Sequence, residues 1–140
     1  MMKDVLISIK GIQGIDEEKD VIEFTTEGRY GIKDGKYYLY YDEGQMMENC
    51  EVKTRIFINS PSSLVLQRSG SIKSRMEIEK EKRNSCFYST PIGELCIGIY
   101  GEKLDINLND SGGSIEMIYT IDSDLRMVSR NEVKITIKEV

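Results

Sequence analysis

Apolar residues recur at every second position over most of the chain, with polar residues between many of them. Near the N-terminus Val5, Ile7 and Ile9 follow this period, and near the C-terminus Val133 and Ile135 follow it again. Successive side chains of a β-strand point to opposite sides of the sheet, so this pattern is typical of strands with one buried face. We count about ten to twelve such segments and no long helical pattern, which predicts an all-β fold.

Turn signals separate these segments at short intervals. Asp34-Gly35 stands between two strand-like runs, residues 30–33 and 36–41, and predicts a tight hairpin because both central residues of that turn need positive φ. Thr90-Pro91-Ile92-Gly93 predicts another turn, and Gly28 predicts a bend or bulge. Strands joined by short turns form an antiparallel meander, and a long meander removes its edges by closing into a barrel. Since no repeat or linker is visible, we expect residues 1–140 to form a single domain.

Composition supports this interpretation and excludes several function classes. The 140 residues include no alanine, histidine or tryptophan, whereas residues that favour strands are plentiful. A formal net charge of -5 would repel a phosphate backbone, so we expect no nucleic-acid partner. No window approaches the ~18 to 20 apolar residues of a membrane-spanning helix, and no signal peptide is visible. Cys50, Cys86 and Cys96 fit neither a disulfide framework nor a zinc site. We therefore expect a cytoplasmic protein with no membrane contact.

The missing histidine also limits catalysis. Without it the chain can build neither a Ser-His-Asp or Cys-His arrangement nor a histidine-ligated metal site. Acidic residues are abundant, but no spacing brings two carboxylates together for acid and base chemistry. The sequence therefore shows no catalytic constellation and favours a protein that is not an enzyme and has no metal or cofactor, with acid and base chemistry by two carboxylates as the remaining enzymatic alternative.

Arg68 is the one position at which the strand pattern predicts a permanently charged side chain on the core face of a strand. It is in phase with Leu64 and Leu66, so it should face the same side as these core residues. A buried guanidinium needs an anionic or multidentate partner, because removing a charge from water costs several kcal/mol. The partner could be a ligand carboxylate or the internal acid Glu43, which shares its phase with Tyr41; alternatively, Arg68 could lie at the rim of the barrel in water.

Several segments carry a resemblance to a known family over nearly the full length. They are residues 21–28, residues 38–43, Arg68-Ser69-Gly70, Tyr88 with Gly93-Glu94-Leu95, and Ile118-Tyr119. In these segments the chain resembles the YwiB-like family of small bacterial β-barrels, a domain of unknown function grouped with calycin or lipocalin-like folds. The resemblance implies a calycin-like antiparallel barrel, of about 8 to 12 strands on the pattern above. It implies no activity, since a shared fold does not establish one.

These observations predict a non-enzymatic barrel that binds a small amphipathic or anionic ligand in its lumen. Arg68 is the expected anchor, and Tyr41, Glu43, Tyr88 and Tyr119 are the expected surrounding residues, because each tyrosine offers a hydroxyl beside apolar surface. A lumen of this kind would have a cavity of about 300 Å³ or more.

The alternative is a filled barrel that acts as a protein-interaction scaffold or associates with itself as a homodimer. Met46-Met47 in a polar connection could form an apolar contact there, and Tyr38 and Tyr40 are in phase to face outward.

Overall fold

The computed structural model describes residues 2–15, 18–42, 52–70, 73–90, 93–123 and 126–140, and these residues form ten β-strands. The strands are β1 Met2–Ile15, β2 Glu18–Lys33, β3 Lys36–Asp42, β4 Val52–Ser60, β5 Ser63–Gly70, β6 Lys73–Glu79, β7 Arg83–Thr90, β8 Gly93–Asn109, β9 Gly112–Ser123 and β10 Arg126–Glu139. Within the described residues no helix is long and apolar enough to cross a membrane.

Each strand pairs antiparallel with its neighbours in sequence, and β1 also pairs with β10, so the sheet closes on itself. Ile7 illustrates the closure, because it lies opposite Thr26 of β2 on one side and opposite Ile137 of β10 on the other. The prediction of an all-β antiparallel meander closed into a barrel is confirmed, and ten strands fall within the predicted number.

The hairpin predicted at Asp34-Gly35 forms between β2 and β3. Asp34 has φ of 53° and Gly35 has φ of 77°, and Lys33 lies opposite Lys36 at the closing rung. Asparagine, aspartate and glycine tolerate positive φ at low cost, which explains why this dipeptide turns the chain here.

Alternation directs aliphatic side chains from all parts of the sheet into the barrel. The largest fully buried aliphatic side chains are Ile7, Ile56, Leu64, Met76, Ile78, Ile99, Ile115, Met117 and Ile135. Each contributes about 1.5 to 3 kcal/mol when it leaves water. Most of the interior is therefore a packed hydrophobic core.

The two ends of the barrel differ in their connections. At one end, called here the loop end, β1 continues to β2, β3 to β4, β5 to β6, β7 to β8 and β9 to β10, and each of these links includes residues outside the described ranges. Glu43, Met46-Met47 and Cys50 belong to the link between β3 and β4 and lie outside the described residues. The opposite end, called the turn end, has the tight turns and both chain termini.

One junction in the barrel wall has few rungs. Between β6 and β7 the paired residues are Lys73 with Ser89 and Ser74 with Tyr88, together with an isolated bridge from Glu79 to Lys82. By contrast, β7 and β8 share eight rungs. Between these rungs the side chain of Asn84 links the two strands, because its Nδ2 donates a hydrogen bond to the carbonyl oxygen of Glu77 at 3.1 Å.

Candidate functional site

A cavity of about 140 Å³ lies inside the barrel toward the loop end. Its polar lining residues come from five strands and are Gln13, Tyr41, Arg68, Tyr119 and Asn131. Its apolar lining includes Ile9, Phe24, Leu66, Met117, Val133 and Ile135. The cavity is thus a mainly apolar space with a limited number of polar groups.

The strand period separates these two kinds of residue along the barrel axis. On β5, Leu66 and Arg68 both line the cavity, and Arg68 is two residues nearer the loop end. On β9, Met117 and Tyr119 repeat this order. A step of two residues keeps a side chain on the same face and moves it about 6.6 Å along the strand. The cavity therefore has an apolar inner layer and a polar outer layer.

Arg68 is half-buried, and its Nε atom is buried. It lies opposite Thr54 of β4 and opposite Ser74 of β6, and both neighbours are buried. The inward phase with Leu66 thus brings the guanidinium group to the cavity wall.

Tyr41 and Tyr119 line the same cavity although 78 positions separate them in the sequence, and both side chains are buried. Tyr41 packs against Phe24 with ring centroids 6.3 Å apart and planes tilted by 56°. Tyr41 also lies opposite Thr54, so it belongs to the same cross-strand row as Arg68. Each tyrosine carries one hydroxyl group on an otherwise apolar ring, in a cavity whose lining is mostly apolar.

For the other two predicted site residues, the structure describes the backbone of Tyr88 and no part of Glu43. The backbone of Tyr88 lies opposite Ser74 and Leu95, which puts it on the same row as Arg68, but its side chain lies outside the described part of the structure. Glu43 lies outside the described residues, so its pairing with Arg68 stays a prediction.

Sequence reasoning missed two buried polar residues at this level of the barrel. Asn131 is 7% exposed and its Nδ2 donates to Oγ of Ser129 at 3.1 Å. Ser74 is 6% exposed, and within the described part of the chain its hydroxyl has no hydrogen-bond partner. The signal was present, because Asn131 is in phase with Val133 and Ser74 is in phase with Met76.

The volume of the cavity corrects the expected size of the ligand. About 140 Å³ is roughly half of the 300 Å³ at which drug-sized ligand pockets begin. A cavity of about 150 Å³ holds a molecule of the size of benzene. The interior leaves less space than expected because aliphatic side chains such as Ile56 and Ile115 fill the remainder of the barrel.

A larger depression of about 410 Å³ lies at the turn end, beside Tyr30, Tyr37 and Asp110. Tyr30 donates a hydrogen bond to the carbonyl oxygen of Asn109 at 2.7 Å and stacks on Tyr37 with ring centroids 5.6 Å apart. Burial, followed by the neighbouring Tyr37 and Asp110, raises the pKa of Tyr30 far above its ordinary value. Tyr30 therefore stays protonated and acts as a structural donor that holds the end of β8.

Neither a metal centre nor a catalytic acid stands out in the described ranges. Among these residues no group of three or more cysteine, aspartate or glutamate side chains could hold a metal ion. Asp122 has a lowered pKa because Arg83 donates to both its carboxylate oxygens, at 3.0 and 2.6 Å. This pair lies on the outer surface, away from the cavity, and its charges offset each other.

Comparisons with known proteins agree with the fold. Residues 7–135 match the family described as "Domain of unknown function (DUF1934)". The chain is 28% identical over 116 residues to "Uncharacterized beta-barrel protein YwiB" of Bacillus subtilis (strain 168), a match that covers 82% of this chain and 79% of that protein. The crystal structure of ywiB protein from Bacillus subtilis superimposes with a TM-score of 0.88 at 24% identity, over 99% of this chain and 93% of that one. The chain is thus similar to an uncharacterized β-barrel protein, and it belongs to the DUF1934 family, whose function is unknown.

Proposed function

We propose that this protein is a non-enzymatic barrel that binds one small amphipathic or anionic ligand at its loop end. The observation that carries the proposal is the convergence of Arg68, Tyr41 and Tyr119, from three different strands, on one mainly apolar cavity. Ligand sites in proteins combine apolar surface with a small number of polar groups in this way.

The chemistry of the outer layer favours an anion over a cation. Arg68 carries a permanent positive charge in a partly desolvated position, where its field is screened less than at the surface. Tyr41 and Tyr119 line the same cavity, and each carries a hydroxyl group that can donate or accept a hydrogen bond. An anionic group would gain charge-assisted hydrogen bonds there, which are stronger than neutral ones.

Thermal unfolding in the presence of small molecules tests the proposal. A panel of small anions, cations and neutral amphiphiles should include members that raise the Tm of the wild-type protein, because a ligand that binds only the folded state stabilises it. Arg68→Gln should abolish the shifts caused by anions. Arg75→Gln makes the same charge change on the outer, exposed face of β6 and should preserve them. A wild-type Tm that no panel member moves, together with native mass spectra free of any retained molecule, would contradict the proposal.

A second candidate is a protein-interaction module, and one observation favours it. Phe87 on the outward face of β7 is 67% exposed, and Leu95 on β8 is 57% exposed; exposed apolar side chains mark interaction surfaces when a partner covers them. Tyr38 and Tyr40, which were expected to face outward, each contact a neighbouring side chain. The ring centroids of Tyr38 and Phe57 are 5.0 Å apart, and Cζ of Arg55 lies 5.3 Å from the ring centroid of Tyr40. If Phe87 mediates homodimer formation, light scattering will find a dimer that Phe87→Ser dissociates; a monomeric wild-type protein would count against self-association.

We also propose that the protein acts in the cytoplasm without nucleic-acid or membrane partners. The net charge of -5 supports the absence of a nucleic-acid partner, and several basic residues on the outer surface pair with acids. Arg130 contacts Glu102 at 3.0 Å and Glu132 at 2.7 Å, for example. Such pairing leaves little uncompensated positive charge for a polyanion to contact.

A further inference from the structure

We propose that the depression at the turn end is a second binding site, which accepts a small hydrophobic amine in its cationic ammonium form. The residues that line it are Lys3, Tyr30, Gly31, Ile32, Tyr37 and Asp110. This site is independent of the loop-end cavity, because it uses other residues at the opposite end of the barrel. Its position, its apolar wall and its charges support the proposal.

The strand period places most of this lining inside the mouth of the barrel. Lys3 lies opposite Tyr30, and Ile32 lies opposite Tyr37, all at inward positions of β1, β2 and β3. Tyr30 donates its hydrogen bond to Asn109 at the end of β8, a strand that is not a neighbour of β2 in the sheet. This hydrogen bond therefore crosses the interior, and the buried Tyr30 side chain forms the floor of the depression.

The wall of the depression is apolar but open to solvent. Ile32 is 45% exposed, although it is two residues from Tyr30 on the inward face, where side chains normally pack in the core. The half-buried Tyr37, stacked on Tyr30, adds aromatic surface. The volume of about 410 Å³ lies within the range of about 300 to 1,000 Å³ that is typical of ligand pockets. The depression therefore has room for a ligand with an apolar body that covers Ile32 and Tyr37.

The charges at this mouth favour a cation. Nζ of Lys3 lies 2.5 Å from Oε1 of Glu139, so the positive charge already has a partner. Asp110 forms no ion pair with any residue that the structure describes, which leaves a negative charge beside the apolar wall. After burial and Tyr37, Asp110 contributes to the raised pKa of Tyr30, as expected for a carboxylate close to that hydroxyl group. An ammonium group there would gain an ion pair and contact with aromatic rings, whereas a carboxylate would be repelled.

Titrations followed by NMR with compounds that share a phenyl ring test the proposal. The probes are 2-phenylethylammonium, 2-phenylethanol and 3-phenylpropionate, which are cationic, neutral and anionic, together with tetramethylammonium, which lacks the apolar body. The first should bind about two- to fivefold more tightly than the alcohol, the usual strength of an ion pair in contact with water. The carboxylate and tetramethylammonium should bind more weakly than the alcohol. The amide signals that shift should be those of residues 30–37 and 109–112.

Variants assign the binding to named groups. Asp110→Asn should remove the preference for the ammonium over the alcohol, and Asp4→Asn, the same change at an exposed outward position of β1, should preserve it. Lys3→Gln leaves Glu139 without its partner and should strengthen ammonium binding, the opposite direction. Ile32→Thr removes apolar surface at an exposed position and should weaken ammonium and alcohol binding alike.

The outcomes separate the class of ligand from the existence of the site. Binding of 3-phenylpropionate as tight as that of 2-phenylethylammonium, or an ammonium preference that persists in Asp110→Asn, would overturn the cation class. Shifts confined to the loop end or the outer surface, or no binding of any probe, would overturn the site. Neither result bears on the loop-end cavity, which the thermal-unfolding panel tests with Arg68→Gln.

Discussion

Gly28 shows how a single residue determines packing inside the barrel, next to Tyr41 of the cavity. It occupies an inward position of β2, between Val5 of β1 and Tyr41 of β3. A Cβ atom added there would overlap the Cδ1 atom of Ile7 and the carbonyl oxygen of Tyr40. Glycine is therefore required for close packing at this position, which lets Ile7 and Tyr41 fill the space of the absent side chain.

We predict that Gly28→Ala destabilises the barrel by about 1 to 3 kcal/mol, the usual cost of overpacking a core. Gly11→Ala is the matched control, because an added Cβ at Gly11 meets no atom closer than 3.9 Å. This second change should leave stability unchanged or raise it slightly, since alanine has less backbone freedom in the unfolded chain. Urea denaturation of both variants measures the difference. Equal stability of the two variants would show that the contact at Gly28 is not tight.

At the scale of elements, glycine positions show why bends and strand ends are difficult to predict from the sequence. Gly28 predicted a bend or bulge, but β2 runs through it to Lys33 without a register shift. Gly101 also lies within a strand, β8, but there the register with β9 does shift, between Gly101 and Lys103. A Cβ at Gly101 would meet the backbone of Glu79, so this glycine also serves close packing. From sequence alone, a glycine that ends a strand cannot be distinguished from one that a neighbouring strand approaches.

The junction between β6 and β7 should be the most easily opened part of the wall. Amide groups of residues 75–78 and 84–87 that point toward the other strand lie outside the paired rungs. Hydrogen exchange at these amides should be at least about tenfold faster than at the corresponding amides of β4 and β5, which share eight rungs. NMR-detected exchange measures both sets in one sample. Equal protection of the two junctions would contradict this difference.

At the scale of the whole molecule, the period of two made the architecture predictable. It identified the strands, and the short turns between them implied the order of the meander. The same period located Arg68, Tyr41 and Tyr119 at the interior, because each is in phase with core residues. Which positions share a level of the barrel depends on the register of all ten strands, and sequence does not specify it.

The buried polar residues and the cavity volume could not be predicted from the sequence, because they depend on side-chain packing. Asn131 and Ser74 are buried polar residues at inward positions, but a polar residue in phase with a core can also mark a strand end in water. The volume of about 140 Å³ depends on how neighbouring side chains interdigitate, and the expectation of a larger lumen was wrong for this reason. The calycin relationship stays a prediction.

The position of a bound ligand inside the barrel is the most direct test of the proposed binding site. Intermolecular NOEs between the labelled protein and an amphipathic panel compound that raises its Tm report which side chains each end of the compound contacts. We predict NOEs from the apolar end of the compound to Leu66 and Met117, and from the protons next to its polar group to Arg68 and Tyr119. NOEs in the reverse order, or NOEs only to residues of the outer surface, would contradict the claim that this barrel holds a ligand by its polar outer and apolar inner layers.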